Sequence, residues 1–248
     1  MVDLKGKTVI ITGASSGIGA AMALAFSQRG ARLTLAARRL ERLKEVSQKC
    51  PGEVFILPAD LTREADRRRI VQRTLEKWGG VDVLVNNAGL GIYGDFLSTG
   101  EEDWRQVFEV NLFALVFMTR AVLPHMRARG SGIIVNMASI GGLIAHSDKV
   151  TPYVASKHAV VGFSRGLAKD LAGSGIRVLA VCPHLTDTEF FSTSPGAQEM
   201  APVVEKFKSF MDSPEDVARG ILERLDSDQL VVFPTEKPAR AYEKQRDI

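Results

Sequence analysis

The chain has 248 residues, of which 45% are hydrophobic and 25% are charged, so one α/β domain covering residues 1–248 can bury a full apolar core. The formal net charge is only +3, and the basic run at residues 67–69 falls within a predicted amphipathic helix, which argues against a nucleic-acid-binding protein. The two cysteines provide no disulfide framework and no apolar run is long enough to span a bilayer, so we expect a cytoplasmic protein without a membrane segment.

The chain begins with the pattern of a strand, a glycine-rich turn and a helix. An apolar run at residues 7–12 leads into the sequence TGASSGIG, and a helix is predicted over residues 20–29. Glycines let the backbone of such a turn approach a ligand, and a helix N-terminus presents free N–H groups to phosphate. The spacing Gly-x-x-x-Gly-x-Gly departs from the Gly-x-Gly-x-x-Gly dinucleotide fingerprint, so the turn alone fits either a nucleotide site or a simple turn.

The second predicted strand, residues 32–37, is followed directly by Arg38 and Arg39. In a βαβ nucleotide fold, an acid at this point binds the ribose 2′-hydroxyl of NAD, whereas an arginine accommodates the 2′-phosphate of NADP. Ala37 occupies the expected acid position, so the pattern favours NADP. The alternative is that Arg38 is only a surface residue ahead of the helix predicted over residues 40–49.

Polar residues also follow the third and fourth predicted strands, residues 54–58 and 81–85. Asp60 or Thr62 could cap the helix predicted over residues 63–78, and Asp60 is also placed for an adenine contact. The fourth strand runs into Asn86-Asn87-Ala88-Gly89, where small residues would let a cofactor lie flat and the amides could tie strands together. Both readings stay open.

A long helix is predicted from residue 101, with Asn111 among apolar neighbours, where its amide must bond backbone or hold a water. The fifth strand, residues 132–136, places Ser139 at the same sheet edge as the glycine turn. Thr151 is predicted as the N-cap of the next helix, with Pro152 as its first residue.

Tyr153 and Lys157 are four residues apart on that helix, so both side chains can face one cleft. A nearby ammonium favours a phenolate, which would bring the tyrosine towards proton exchange at neutral pH. The alternative is an aromatic core residue beside a solvated lysine.

The C-terminal third has a sixth strand at residues 177–182, a helix at residues 214–225 and a last strand at residues 230–233. Residues 186–210 break the strand and helix alternation, so we expect an irregular substrate lid at about residues 186–212. The charged tail from residue 234 is expected to pack loosely, and the scattered histidines suggest no metal site. The lid's apolar side chains suit either an apolar substrate portion or simple packing: Phe190, Phe191, Met200, Phe207, Phe210 and Met211.

Together these residues resemble the short-chain dehydrogenase/reductase family across nearly the whole chain. The resemblance is carried, in order, by the glycine turn, Asn86-Asn87-Ala88-Gly89, Asn111, Ser139, and Tyr153 with Lys157. It implies a Rossmann-like three-layer sandwich, in which a seven-stranded parallel sheet of order 3-2-1-4-5-6-7 is flanked by helices. It also implies a homodimer or homotetramer that acts on a small-molecule carbonyl or alcohol.

The resemblance further implies residue roles. Tyr153 would protonate the carbonyl oxygen as hydride arrives, or act as base in reverse, and Ser139 would hydrogen-bond that oxygen. Lys157 would lower the pKa of Tyr153 and hold the nicotinamide ribose, and Asn111 would position a water in a proton relay. The expected cofactor-binding residues are Gly13, Ser15, Ser16, Gly17, Ile18, Gly19, Arg38, Arg39, Asp60, Leu61, Asn87, Ala88, Gly89, Tyr153, Lys157, Pro183, Leu185 and Thr188.

Two features depart from the family pattern. His184 follows Pro183 where the family usually has glycine, and its ring is expected to point to solvent rather than to serve catalysis or substrate binding. The interval from Ser139 to Tyr153 is one residue longer than in common members, and the extra residue should fall in the loop at residues 146–150.

The expected function is an NADP(H)-dependent oxidoreductase that reduces a ketone or aldehyde, including a 3-oxoacyl thioester or another hydrophobic carbonyl compound, or catalyses the reverse reaction. One alternative is a catalytically silent NADP(H)-binding regulatory or scaffold protein, which would not need the complete set of Asn111, Ser139, Tyr153 and Lys157. Another is an NAD-dependent sugar epimerase or dehydratase, which resembles longer chains with a Gly-x-x-Gly-x-x-Gly loop.

Overall fold

A parallel sheet forms the centre of the computed structural model, which describes residues 2–145 and 147–245. The strand order is β3-β2-β1-β4-β5-β6-β7, with every neighbouring pair parallel, so the expected topology is confirmed. The strands are β1 (Thr8–Thr12), β2 (Arg32–Ala37), β3 (Val54–Pro58), β4 (Val83–Asn86), β5 (Gly132–Met137), β6 (Ile176–Val181) and β7 (Val231–Val232).

Helices cover both faces of the sheet. They are α1 (Gly17–Gln28), α2 (Leu40–Lys49), α3 (Glu64–Trp78), α4 (Glu101–Phe108), α5 (Ala114–Arg129), α6 (Thr151–Asp170), α7 (Phe190–Thr193), α8 (Ala197–Phe207), α9 (Pro214–Glu223) and α10 (Glu236–Gln245). A π-helical turn, Glu109–Phe113, joins α4 to α5, and short 3-10 turns occupy Ile140–Gly142 and Lys208–Phe210.

The apolar strands are buried on both sides because successive side chains point to opposite faces. On β1, Val9 and Ile11 belong to one core cluster, with Phe26 of α1 and Ile221 of α9. Ile10 belongs to the other cluster, which includes residues of α3 and α5. This two-sided burial explains the continuous hydrophobic runs by which the strands were predicted.

The C-terminal third is more helical than the sequence pattern suggested. Residues 190–207 form α7 and α8 instead of an irregular lid, with Met200 buried among apolar neighbours. The tail also forms a helix, α10, rather than packing loosely. Lys237 of α10 forms an ion pair with Asp212 at 2.9 Å and donates to the Phe210 carbonyl, and these long-range contacts carry no local sequence signal.

The continuous helical run Glu101–Arg129 is long and apolar enough to cross a membrane by length and composition alone, contrary to our expectation from the sequence. Core helices of soluble proteins meet the same criterion. Here Met118, Val122 and Met126 are fully buried in the sheet-facing core, so packing accounts for one apolar side of the run.

Candidate active site

A cleft of about 860 Å³ lies at the carboxyl ends of the strands. Its glycine-turn end is lined by residues 13, 15–18, 37–39 and 59–62, which lie at or just after the ends of β1, β2 and β3. Its tyrosine end is lined by Leu90, Tyr93, Ser139, Tyr153, Phe190, Phe191 and Met200, among others. Such clefts bind ligands where neighbouring strands send their connections in opposite directions, as β1 and β4 do here.

The glycine turn is narrow because two other segments press against it. Gly13 has φ +64°, and a Cβ there would lie 2.7 Å from the Cα of Ala88. Gly17 has φ +53°, and a Cβ there would lie 3.0 Å from the Thr188 side chain. A Cβ on Gly19 would overlap the Gly13 carbonyl. The turn therefore requires glycine at all three positions, and it brings backbone and the start of α1 to the cleft.

Asn87 has the strand-tying role, one of the two roles left open by the sequence. Its Nδ2 donates to the carbonyls of Thr12 at 3.0 Å and Gly13 at 3.1 Å, which ties the ends of β1 and β4 together. The residue also lines the cleft, together with Ala88 and Gly89.

Arg39 reaches from the end of β2 to the glycine turn. Its guanidinium donates to Ser16 Oγ at 2.7 Å and forms an ion pair with Glu189 at 2.9 Å. Arg38 lines the cleft, where its charge contributes to lowering the pKa of Asp60. Two cations therefore border the glycine-turn end.

Asp60 and Leu61 line the same end, but neither Asp60 nor Thr62 caps α3 as expected. Asp60 Oδ1 instead accepts from the Thr62 backbone at 3.0 Å and hydroxyl at 2.8 Å, and Arg63 is the N-cap residue without a side-chain bond. Burial alone would raise the pKa of Asp60, but the Thr62 bonds and nearby arginines lower it. The carboxylate therefore stabilises its own turn.

Tyr153 is half-buried at the opposite end of the cleft. Helix α6 begins at Thr151, with Val150 as its N-cap, so the predicted start was one residue late. Pro152 is tolerated as the second helical residue, because the N–H that proline lacks has no partner within the helix in the first helical turn. The Tyr153 ring lies 5.7 Å from that of Phe190, and Ser139 hydrogen-bonds its hydroxyl.

The pKa expected for Tyr153 is wrong. Burial raises it to about 12, although the Ser139 hydrogen bond acts in the opposite direction. Lys157 does not offset this burial: its Nζ lies 5.6 Å from the tyrosine ring centroid and donates to the Met137 carbonyl at 2.8 Å. Burial also lowers the pKa of Lys157 to about 8.

Asn111 lies behind the cleft in the π-helical turn. Its Oδ1 accepts from the Leu90 N–H at 2.8 Å, and its Nδ2 donates to the Leu90 carbonyl and to Ser156 Oγ. These bonds join the loop after β4 to α6. A Cβ on Gly89 would lie 3.2 Å from Asn111 Oδ1 and 3.6 Å from Lys157 Nζ, so the glycine leaves space between the two side chains.

His184 lines the cleft and its Nδ1 is buried, so the expectation that its ring points to solvent is wrong. Pro183, Leu185 and Thr188 line the same wall. Of the loop expected to hold the extra residue, His146 lies outside the described residues. Within that loop, Lys149 has φ +58° and pairs with Glu199 at 2.7 Å.

The cleft thus collects every predicted site residue except Gly19 and Asn111, which support it from behind. Sequence analysis missed Tyr93, whose ring stacks on Phe191 at 6.4 Å and whose buried hydroxyl has a raised pKa. The only sequence signal for Tyr93 is its position four residues after Gly89. No group of three or more His, Cys, Asp or Glu side chains within residues 2–145 and 147–245 could hold a metal ion.

The sequence profile of the family described as short chain dehydrogenase matches residues 7–198. The 3-oxoacyl-[acyl-carrier-protein] reductase FabG of Thermotoga maritima is 35% identical over 222 residues, covering 88% of this chain and 90% of that protein. The 2-(R)-hydroxypropyl-CoM dehydrogenase of Xanthobacter autotrophicus is 39% identical over 189 residues, covering 73% and 75%.

Solved structures show the same similarity. A short chain dehydrogenase/reductase from Burkholderia phymatum in complex with NAD superposes with a TM-score of 0.89 at 26% identity, covering 98% of this chain and 94% of that one. Levodione reductase superposes with a TM-score of 0.86 at 28% identity, covering 96% and 100%.

Proposed function

This chain belongs to the short chain dehydrogenase family of oxidoreductases, and we propose that it is an NADP(H)-dependent reductase of a ketone or aldehyde substrate. The observation that carries the proposal is that Ser139, Tyr153 and Lys157 line the same cleft as the glycine turn. In one cleft, a proton donor would then face the bound substrate and the backbone of the glycine turn would bind the phosphates of the nucleotide.

The residues of the cleft fit a nicotinamide dinucleotide. Gly13 and Gly17 let the turn pack closely against Ala88 and Thr188, and both glycines line the cleft beside the start of α1, where N-terminal N–H groups can bind phosphate. Asp60 and Leu61 would contact the adenine, with Asn87, Ala88 and Gly89 beside the middle of the cofactor. Pro183, Leu185 and Thr188 would hold the nicotinamide side. When bound, the cofactor supplies the hydride acceptor or donor.

Tyr153 holds the proton for the carbonyl oxygen. With a pKa of about 12, its phenol is neutral at pH 7 and can donate at once, whereas alcohol oxidation would need its phenolate. The raised pKa therefore leaves Tyr153 at neutral pH in the protonated form that carbonyl reduction requires.

Ser139 and Lys157 position the reacting groups. Ser139 Oγ accepts from the Gly141 N–H at 3.1 Å, which orients the hydroxyl so that its own proton can reach the substrate oxygen. Lys157 would bind the nicotinamide ribose. Asn111 has its side chain committed to Leu90 and Ser156, so a relay water would be held by its backbone carbonyl.

Replacing Tyr153 with phenylalanine tests the reductase. We expect turnover to fall by roughly 100-fold or more, because the proton donor is lost while the ring is kept. The measurement is NADPH consumption against acyl thioesters, ketones, aldehydes and sugars, with Tyr242→Phe as the control distant from the cleft.

Tyr153→Phe should bind NADPH as the unmodified protein does, which separates a loss of chemistry from a loss of fold. Equal turnover by the two proteins would contradict the acid role of Tyr153. Tight NADPH binding without turnover of any substrate would favour the catalytically silent alternative.

The NADP(H) preference is supported by the two cations at the glycine-turn end. Arg38→Ala should raise the dissociation constant of NADPH by roughly 10-fold or more while that of NADH changes little, because only NADPH carries the 2′-phosphate. Fluorescence titration of both cofactors measures the difference.

Arg68→Ala is the matched control, because it removes the same charge from an exposed position on α3 that pairs with Glu64. Equal losses of NADPH and NADH affinity in Arg38→Ala would reject the assignment of the 2′-phosphate to this arginine.

Residues 1–248 form one domain, in which residues 186–212 act as a helical substrate lid over the tyrosine end. The aromatic wall there, including Phe190 and Phe191, suits a hydrophobic carbonyl compound or the acyl part of a 3-oxoacyl thioester. The protein acts in the cytoplasm as a homodimer or homotetramer, with no nucleic-acid or membrane partner.

A further inference from the structure

Glu189 connects the proposed lid to the nucleotide-binding side of the cleft. It directly precedes α7, whereas Arg39 directly precedes α2, and the two residues are 150 positions apart in the sequence. One Glu189 oxygen lies 2.9 Å from Arg39 Nη1 and the other lies 3.4 Å from Arg42 Nη2. The carboxylate therefore holds two guanidinium groups of the β2–α2 segment.

The same Arg39 guanidinium also reaches into the glycine turn. Nη2 donates to Ser16 Oγ at 2.7 Å and to Ser15 Oγ at 3.3 Å. Ser15, Ser16 and Arg39 line the cleft, whereas Glu189 does not. Glu189 thus binds, from outside the cleft, a cation that the cleft presents to its ligand.

Glu189 is also the N-cap residue of α7. Its carbonyl accepts from the Thr193 backbone at 3.0 Å and from the Thr193 hydroxyl at 2.8 Å. The next residue, Phe190, forms the wall beside the Tyr153 ring. Holding Glu189 against Arg39 therefore holds the aromatic wall of the substrate end.

A ligand that binds Arg39 more strongly can displace Glu189 from this ion pair. The side chains of Arg39 and Glu189 are 44% and 38% exposed, and ion pairs as exposed as this one contribute little to stability. A phosphate dianion offers a guanidinium more charge and bidentate hydrogen bonds. Hydrogen bonding from Arg39 lowers the pKa of Glu189, so the carboxylate is charged at neutral pH.

We propose that Glu189 and the 2′-phosphate of NADP(H) compete for Arg39. Glu189 is then a specificity-determining residue that weakens the preference for NADP(H), and phosphate binding loosens the start of α7 by leaving Glu189 paired with Arg42 alone. NADH lacks this phosphate and leaves the Arg39–Glu189 pair in place. This inference rests on the proposed nicotinamide cofactor and adds a link between the choice of cofactor and the lid.

Glu189→Gln tests the competition through binding alone. We expect its dissociation constant for NADPH to fall roughly three- to tenfold, because a competing carboxylate and its repulsion of the phosphate are removed. Its affinity for NADH should not change. Glu45→Gln is the matched control, because Glu45 pairs with Arg42 at 3.0 Å. It should leave the affinity for both cofactors unchanged.

A selective gain in the NADPH affinity of Glu189→Gln supports the competition. If that gain occurs but no substrate is turned over, only the reductase proposal fails. Equal changes for both cofactors, no change for either, or no NADPH binding by either protein would overturn it. In hydrogen exchange, α7 amides should exchange faster with NADPH than with NADH in the unmodified protein, and equally with both in Glu189→Gln. Equal exchange with both cofactors in the unmodified protein would overturn the loosening of α7.

Discussion

At the scale of single residues, the site holds two ionisable groups whose pKa values burial shifts in opposite directions. Lys157 has a pKa of about 8 instead of its ordinary 10.5, and Tyr153 has a pKa of about 12 instead of 10. Both shifts favour the neutral side chain. The fold therefore bears a cost for keeping a charged Lys157 at neutral pH.

The directions of these pKa shifts determine how each residue's contribution to folding stability changes with pH. Below about pH 8, Lys157 is protonated in the folded and unfolded states, and the full penalty is present. Between pH 8 and 10.5 the folded state releases the proton first, so its stability rises with pH. The contribution of Tyr153 is fully present below pH 10 and is lost as the pH rises through about 12.

Lys157→Met should therefore stabilise the protein at pH 7 while abolishing activity. We expect a gain of about 1–2 kcal/mol, because relief of the buried charge exceeds the lost bond to the Met137 carbonyl. The advantage over the unmodified protein should shrink as the pH rises from 7 towards 10. Urea unfolding at several pH values measures it.

Lys44→Met is the control, because Lys44 is exposed and pairs only at the surface with Glu41 at 2.8 Å. Its difference from the unmodified protein should be small and nearly independent of pH. A constant difference for Lys157→Met across the same range would show that burial does not shift this lysine.

These residues also show what sequence can and cannot predict about the site. Helical spacing placed Tyr153 and Lys157 on one face, and the strand pattern placed Ser139 at the sheet edge, but their roles were predicted only from the family resemblance. Their pKa values could not be predicted, because burial depends on Phe190 and other residues brought from distant parts of the chain. The inward position of His184 was missed for the same reason.

At the scale of elements, strands were predicted more accurately than the helices of the C-terminal third. Strands β2 and β3 were predicted to the residue, since each is a short apolar run bounded by turn residues. Helix α8 was missed because Ser, Pro and Gly surround it, although Gly196 at φ +75° simply allows the turn that starts it. Helix α10 is anchored by Lys237 to Asp212, a contact that only the folded chain reveals.

The π-helical turn at Glu109–Phe113 was also beyond a local prediction. The sequence reads as one uninterrupted helix, and Asn111 was expected to bond locally or to hold a water. Its side chain instead bonds Leu90 and Ser156. One helical turn is widened so that an amide can join two other elements, and π turns often occur at functional sites.

At the scale of the whole molecule, the helical run Glu101–Arg129 has a second apolar side that faces outward. Phe113 and Phe117 are 43% and 38% exposed, and their rings stack 6.3 Å apart. Neighbouring exposed aromatic rings on a helix are typical of protein interfaces. This side is therefore the surface through which we expect two copies of the chain to associate.

Phe113→Asp should weaken that association, because pairing would bury a charge opposite an apolar surface. We expect the dimer dissociation constant to rise by roughly 30-fold or more, with a shift from dimer towards monomer in sedimentation velocity. Phe210→Asp is the control, because Phe210 is 64% exposed but lies on the segment after α8. Unchanged mass for Phe113→Asp, or a monomeric unmodified protein, would exclude this interface.

The interface would also affect catalysis, because the same helical run contributes Gln106 and Val110 to the cleft and Asn111 to its support. Monomeric Phe113→Asp should therefore lose part of its turnover. The control Phe210→Asp should keep the mass of a dimer. If dilution of the unmodified protein below its dimer dissociation constant produces the same loss, association itself positions this wall. If diluted protein retains full turnover, the loss in Phe113→Asp comes from the substitution rather than from dissociation.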